Sequence, residues 1–351
     1  MRQRVRNLSA TLFLILILGT FYGTVPYYQN YFSSSTDFLG QEYSHWQVLL
    51  TAMLAYVVIL SIFYLTEKSP RISKSIYCLR AIQRLMRSPK SILQMGLPFE
   101  ERLGLLSILL KGFFIPLMVV WLFAHTGHMI EHGNKLAVAL NQATIEWISL
   151  FNAHGFWFMF KVILFLDVLF FTVGYMIELP SLKNEIRSVD PTLMGWFVAL
   201  ASYPPFNGLT SSVFAGYTTD FPQFNDPILH IALNIFLLIL MAFYTWASIA
   251  LNLKASNLTH RGIIMHGPYR YIRHPAYTCK NLAWWIGVLP AVIAATETSI
   301  TATLLAVGSM LGWSIIYILR ALTEEDHLRS VDNEYDLYCQ KVKYRFFPGI
   351  I

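Results

Sequence analysis

Charge is what this chain has least of. Of its 351 residues 13% are charged, 20 of them acidic, while 55% are hydrophobic. A water-facing globular surface needs about twice that charge, which excludes an ordinary soluble domain. Cysteine is nearly absent too: Cys78, Cys279 and Cys339 form no Cys-x-x-Cys pair and no zinc spacing. All three fall in segments expected to face a reducing compartment, where disulfides do not persist. No Gly-x-Gly-x-x-Gly or P-loop pattern occurs, which removes support for soluble dinucleotide or nucleoside-triphosphate domains. Internal repeats and low-complexity tracts are missing as well.

What is present is apolar and periodic in length. Eight runs stand out: Leu12–Tyr28, Trp46–Leu65, Leu105–Ala124, Phe156–Ile177, Met194–Tyr217, Ile228–Leu253, Asn281–Ala295 and Ile300–Leu319. Most approach the roughly 20 residues that a bilayer-spanning helix needs. The seventh is short, and the fifth is interrupted by Pro204-Pro205 and Asn207-Gly208. The segments 1–10, 66–103, 178–193, 254–280 and 320–351 hold 23 of the 26 Lys and Arg residues. Positive charge on alternate connections predicts an all-α polytopic membrane protein with about eight transmembrane helices and both termini cytoplasmic. The net charge of +6 is then a topology signal, and nucleic acid is not an expected partner; the bilayer is. Arg2, Arg4 and Arg6 precede an apolar run without a small-x-small site, as expected of an uncleaved first helix at the cell's inner membrane.

Several local patterns carry further expectations. Residues 1–150 read as accessory helices and 151–351 as the functional core. In the basic inner loop 66–103, Ile72, Ile76, Leu79, Gln83 and Met86 follow helical spacing, with Lys74, Arg80, Arg84 and Arg87 between them. That predicts a helix on the inner membrane surface, its cations toward anionic lipid. Gly19-x3-Gly23 and Gly308-x3-Gly312 are candidate helix–helix contacts. His125, His128 and His132 with Glu131 share one face of the third run: either weak candidate metal ligands or interfacial histidines bonded to water and backbone. Lys161 and Asp167 are ionisable groups inside the fourth run, expected to pair with polar groups of the fifth or to meet a substrate. The broken fifth run is a candidate wall of a substrate chamber, since irregular backbone at membrane depth must be covered or line a cavity.

The densest chemistry lies in THRGIIMHGPYRYIRHPAYTCKNLAWW, residues 259–285. Gly267-Pro268 marks a turn, and Pro275 holds Arg273-His274 at a helix entrance, where free N–H groups suit a carboxylate. Near the C-terminus follow Arg320-x3-Glu324-Glu325, Tyr335-x2-Tyr338 and Val342. Together these resemble the isoprenylcysteine carboxyl methyltransferase and phospholipid N-methyltransferase family of integral-membrane methyltransferases. Its pattern G-x-Y, R-H-P-x-Y-x-G, R-x3-E-E and Y-x2-Y-x3-V maps onto Gly267, Tyr269, Arg273-His274-Pro275, Tyr277, Arg320, Glu324-Glu325, Tyr335, Tyr338 and Val342. The match covers the signature region 255–351, and departs at Cys279, where the family has Gly, and at Arg261, where many members have His.

The resemblance implies S-adenosylmethionine as cofactor and methyl transfer to an amphipathic or lipid acceptor on the cytoplasmic side. It assigns Gly267, Tyr269, Arg273, His274, Pro275, Tyr277 and Glu325 to the cofactor, and Arg320 and Glu324 to catalysis. Arg320, four residues before Glu324, either orients an acidic acceptor or pairs with that carboxylate. Trp284, Trp285 and Arg345 are expected on the acceptor side. Two other readings remain: an NADPH-dependent sterol or lipid reductase, which shares the R-H-P-x-Y stretch, and a non-enzymatic scaffold.

Overall fold

The structure is a computed structural model that describes residues 1–68, 70–142, 144–214 and 218–350. Helices dominate because long apolar runs in lipid can satisfy their own backbone only within the segment. In chain order they are α1 (Arg2–Thr24), α2 (Pro26–Ser33), α3 (His45–Thr66), α4 (Lys74–Arg87), α5 (Pro89–Met95) and α6 (Phe99–Leu140). Then come α7 (Trp147–Leu150), α8 (Phe156–Met176), α9 (Leu193–Leu200), α10 (Phe206–Val213) and α11 (Pro227–Leu251). The last are α12 (Pro275–Thr298), α13 (Ile300–Val331) and α14 (Glu334–Lys341). Two short antiparallel strand pairs occur among the described residues: the hairpin of β1 (Ser35–Phe38) with β2 (Gln41–Ser44), and the long-range pair of β3 (Ser188–Val189) with β4 (Thr259–His260). Helix starts follow local chemistry. Ser44 and Gln47 form a reciprocal capping box at α3, Asp226 accepts from Leu229 N ahead of Pro227 at α11, and Ser299 caps α13.

Among the described residues seven helices are long and apolar enough to cross a membrane. The fifth expected span is not one of them. It is α9 and α10, eight residues each and so roughly 12 Å long, separated where Pro204 and Pro205 lack the N–H groups a helix needs. Its last expected residues, 215–217, lie outside the described residues. The chain nevertheless crosses here. Ser188 pairs with His260 before α9. After α10, the Phe221 ring lies 4.5 Å from Phe156 and 5.2 Å from His230, at the opposite ends of α8 and α11. Among the described residues seven continuous helices thus run from one face to the other, and the broken α9–α10 segment joins the same two faces.

Both termini consequently share a face. Asn7 donates to Arg71 O, Lys74 to Ile186 O, and Arg273 N to Tyr344 O. On this basic face Glu178 accepts from Lys74 and, at 2.7 Å, from Lys111. Burial opposes its ionisation, but the two ammonium groups hold its carboxyl well below the usual carboxylate range.

The surface helix expected in 66–103 forms as α4, with its face rotated. It buries Ser75, Ile76, Cys78 and Ala81 while Met86 is exposed. The cause is α6: a side chain at Gly104 would lie 2.7 Å from Tyr77 Cβ and 2.8 Å from Cys78 N, so α4 packs on protein. The glycine pairs behave differently from expectation. Gly19, Gly23 and Gly308 face open space, and Gly312 receives the Phe214 ring of the broken crossing. One apolar core, including the Phe114–Tyr175 stack at 4.7 Å, joins α1, α2, α6 and α8. A second joins α8, α11 and α12.

Candidate functional site

Where α8, α11, α12 and α13 approach the basic face they enclose a cavity of about 270 Å³. Its mouth is formed by Lys254, the 259–264 segment, Tyr269, Arg273, His274, Glu324, Tyr335 and Tyr338. Its deep end reaches Trp121, Asp167, Ser202, Tyr203, Tyr244, Lys280 and Tyr317. Tyr277, Arg320 and Asn257 stand where the halves meet.

The mouth is framed by the entrance of α12. His274 is the N-cap with extended φ, and Pro275 opens the helix. The backbone of 273–274 is held by the C-terminal tail: Arg273 N donates to Tyr344 O and His274 N to Arg345 O, at 2.9 and 3.0 Å. Beneath it lies Glu325, fully buried. It accepts from Arg273 Nη1, Arg329 Nη2 and Arg345 Nε at 3.1 to 3.2 Å and contacts His274 Nε2 at 3.1 Å. A carboxylate with four cationic or imidazole partners has no lone pair left for a ligand. Glu325, expected at the cofactor, instead fixes Arg273, His274 and the tail, and does not line the cavity.

The other expected residues divide similarly. Tyr269, Arg273, His274, Tyr277, Arg320 and Glu324 converge on the cavity. Gly267 and Pro275 do not line it. Gly267 (φ +60) makes the turn against Ala250, and Pro275 is buried at the helix start. Tyr277 donates to Glu324 Oε2 at 2.8 Å and stacks on His274 with centroids 5.5 Å apart. Tyr338 donates to Tyr269 O at 2.7 Å. Burial, then the Glu324 charge, raises the Tyr269 phenol well above its ordinary value, so it stays a neutral donor.

Arg320 does not pair with Glu324. Its Nη2 donates to Asn257 Oδ1 at 2.8 Å, and its guanidinium lies 5.1 Å from the Tyr277 ring centroid and 5.2 Å from that of Tyr317. Deeper still, the Lys280 ammonium sits over the rings of Tyr244 and Trp284, at 5.2 and 5.4 Å. Among the described residues neither cation has a carboxylate within 4.0 Å. Cation–π contact of this kind contributes about 0.5–2 kcal/mol, much less than a buried charge loses on leaving water. Asp167, the carboxylate at this depth, is engaged by Tyr244 at 2.6 Å and Ser248 at 2.5 Å. Its partners come from α11 and not from the fifth crossing. Lys161 lies over Trp157 and Phe160, away from the cavity.

Trp284, Trp285 and Arg345 are not in the lining. Trp284 packs edge-on to Trp313 and Tyr317 and supports Lys280, while Trp285 donates to Ser314. The broken crossing supplies Ser202 and Tyr203 to the wall, and Thr218 donates to Trp284 O. Cys279, the first departure from the family pattern, packs in the α8–α11–α12 core. Arg261, the second, is buried with Nη1 donating to Asn184 O. Its neighbour His260 lies 2.9 Å from Asp332; burial lowers its pKa and the carboxylate opposes that.

The histidines at the far end of α6 do not form a centre. His125 and His128 have ring centroids 6.4 Å apart, and His132 stacks on Trp157. Among the described residues no group of three or more His, Cys, Asp or Glu is placed to hold a metal ion.

Sequence reasoning missed Lys280, Tyr244, Ser248, Tyr317, Asn257 and Lys254. Lys280 carried a legible signal, a lysine one residue before an apolar run. The tyrosines read as ordinary helix residues.

The geometry defines a polytopic helical membrane protein with a half-polar cavity opening on its basic face. Residues 228–329, which supply α11, α12, most of α13 and the cavity mouth, match the model of the isoprenylcysteine carboxyl methyltransferase (ICMT) family. No curated protein and no solved structure matches the chain.

Proposed function

We propose that this protein transfers a methyl group from S-adenosylmethionine to an acidic, lipid-like acceptor within the membrane. The observation that carries this reading is one cavity with two unlike ends. The mouth presents a half-exposed carboxylate, Glu324, with phenol faces at Tyr269 and Tyr277 and apolar surface at Ile263 and Leu328. That donor set fits the amino group, the sulfonium and the flat base of the cofactor. When bound, the cofactor supplies an electrophilic methyl on a positively charged sulfur.

The chain's own work is positioning and charge compensation. Arg320 uses one side of its guanidinium on Asn257 and presents the rest to the cavity, where its planar fork can orient an anionic oxygen or sulfur. Lys280 adds a second positive charge to the deep end. Glu324 fixes the Tyr277 hydroxyl, and the buried walls around Tyr317 exclude water. Holding two reactants in line in this way can supply up to about 7–11 kcal/mol of a barrier. An amine acceptor fits less well, because it needs a free base and Asp167 already accepts from Tyr244 and Ser248.

Arg320→Lys tests the assignment. It keeps charge but loses the fork. Cofactor affinity is expected to stay within about two-fold while transfer to acidic lipids at saturating cofactor falls roughly ten-fold or more. Equal loss of affinity and transfer places Arg320 in the cofactor site, and undiminished transfer removes it from the reaction.

The concentration of Lys and Arg on the cavity's face supports a cytoplasmic mouth at the inner membrane. A single cysteine at His266, exposed on that face, is expected to resist an impermeant thiol reagent added outside whole cells. Labelling from outside reverses the orientation.

One observation favours the reductase reading: Lys254 and Arg187 both approach Gly262 at the mouth, among the described residues without an acidic partner, and suit a 2′-phosphate.

A further inference from the structure

A cofactor that ends in an amino acid needs a cation for its carboxylate, and the expected cations are occupied. Arg273 and His274 are bound to Glu325. Arg261 is buried in the same wall with Nη1 on Asn184 O and its Nε and Nη2 unpartnered, and Arg320 faces the deep end with Asn257. Beside Arg261, at Gly262 in the lining, stands a more accessible and unexplained pair. A side chain at Gly262 would meet Lys254 Nζ at 3.3 Å and Arg187 Nη2 at 3.6 Å, so both charges reach one point above this glycine. Among the described residues neither head group makes a hydrogen bond or an ion pair, and Asp332 on the same face is taken by His260. Two like charges at this separation repel, and an anion placed between them removes the repulsion.

Gly262 makes the point accessible. Its φ of +99 lies where side chains are disfavoured, and it leaves bare backbone between the cations in the cavity lining. Arg187 arrives from the segment before β3, and Lys254 from the turn after α11. The β3–β4 pairing, with Arg187 N donating to His260 O at 2.8 Å, brings the two segments together.

We propose that Lys254 and Arg187, across Gly262, form the subsite for the α-carboxylate of the methyl donor. The inference rests on the cofactor reading above and adds residues outside the motif that the sequence resemblance assigns. Lys254 and Arg187 are binding residues in this account, with no part in the transfer step.

The test is equilibrium binding to the full-length protein in detergent, with S-adenosylmethionine, S-adenosylhomocysteine and decarboxylated S-adenosylmethionine, which lacks only the carboxylate. Wild type is expected to bind the decarboxylated analogue roughly ten-fold or more weakly than the parent, the scale of one charge-assisted contact. Lys254→Gln and Arg187→Gln are each expected to weaken the two carboxylate-bearing ligands by a similar factor and leave the decarboxylated one unchanged. Equal weakening of all three, or of none, overturns the subsite. Loss of NADPH binding in Lys254→Gln, with S-adenosylmethionine unaffected, assigns the pair to a phosphate instead. Wild type that binds none of the three overturns the cofactor reading itself, which a failure confined to the variants does not.

Discussion

Glu325 illustrates how far single residues could be read. The R-x3-E-E stretch identified the position as part of a functional pattern, yet the role suggested by the resemblance was contact with a ligand. In the fold its carboxylate is fully buried under Arg273, His274, Arg329 and Arg345. Sequence spacing could not reveal this, because three of those partners come from the α12 entrance and the tail. Removing one member of a buried ionic group typically costs about 3–5 kcal/mol, since the others remain desolvated and unpaired. Glu325→Gln is therefore expected to lower thermal stability in detergent sharply and loosen the 343–346 tail. A variant that unfolds like wild type and loses only cofactor affinity would return Glu325 to the ligand shell. Arg320 and Glu324 were legible as neighbours on one helical face. That Arg320 turns to Asn257 depends on the 254–264 segment folding over the cavity, which no helical spacing predicts.

At the scale of elements, the helices were legible and their edges were not. Seven of the eight apolar runs became continuous helices, because length and hydropathy suffice when backbone must be satisfied within the segment. The fifth run carried its own warning in Pro204-Pro205, and it does line the chamber through Ser202 and Tyr203. Its docking was hidden in Gly287. In the middle of α12 this glycine offers no side chain, so Thr219 N can donate to its carbonyl at 3.2 Å. A Cβ there would lie 2.5 Å from Thr219 O. In an open helix, Gly→Ala is stabilising by about 0.8–1 kcal/mol. Here Gly287→Ala is expected to have the opposite sign, costing about 1–3 kcal/mol as the crossing is pushed away. A raised melting temperature in that variant would show that the broken crossing does not rest on α12. The loop helix α4 is a milder case: its existence followed from periodicity, whereas the burying face was set by Gly104 on another helix.

For the molecule as a whole, charge distribution was the strongest signal. Lys and Arg concentrated in alternate connections implied that both termini share a face, and the contacts of Asn7, Lys74 and the C-terminal tail place them together. Two of the five basic segments, 254–280 and 320–351, line one cavity, and a third reaches it through Arg187 at Gly262. What composition could not convey is that the cavity has two unlike ends: Glu324, phenols and the Lys254–Arg187 pair at the mouth, Arg320 and Lys280 without a paired carboxylate at depth. That division is the basis for reading it as a place where a cationic methyl donor meets an anionic acceptor. The measurement that tests this most directly is calorimetric titration of the purified protein with S-adenosylmethionine and, separately, with NADPH. The account predicts saturable binding of S-adenosylmethionine and its demethylated product, weakened in Glu324→Gln, and no heat from NADPH. Saturable NADPH binding with none of S-adenosylmethionine would contradict it.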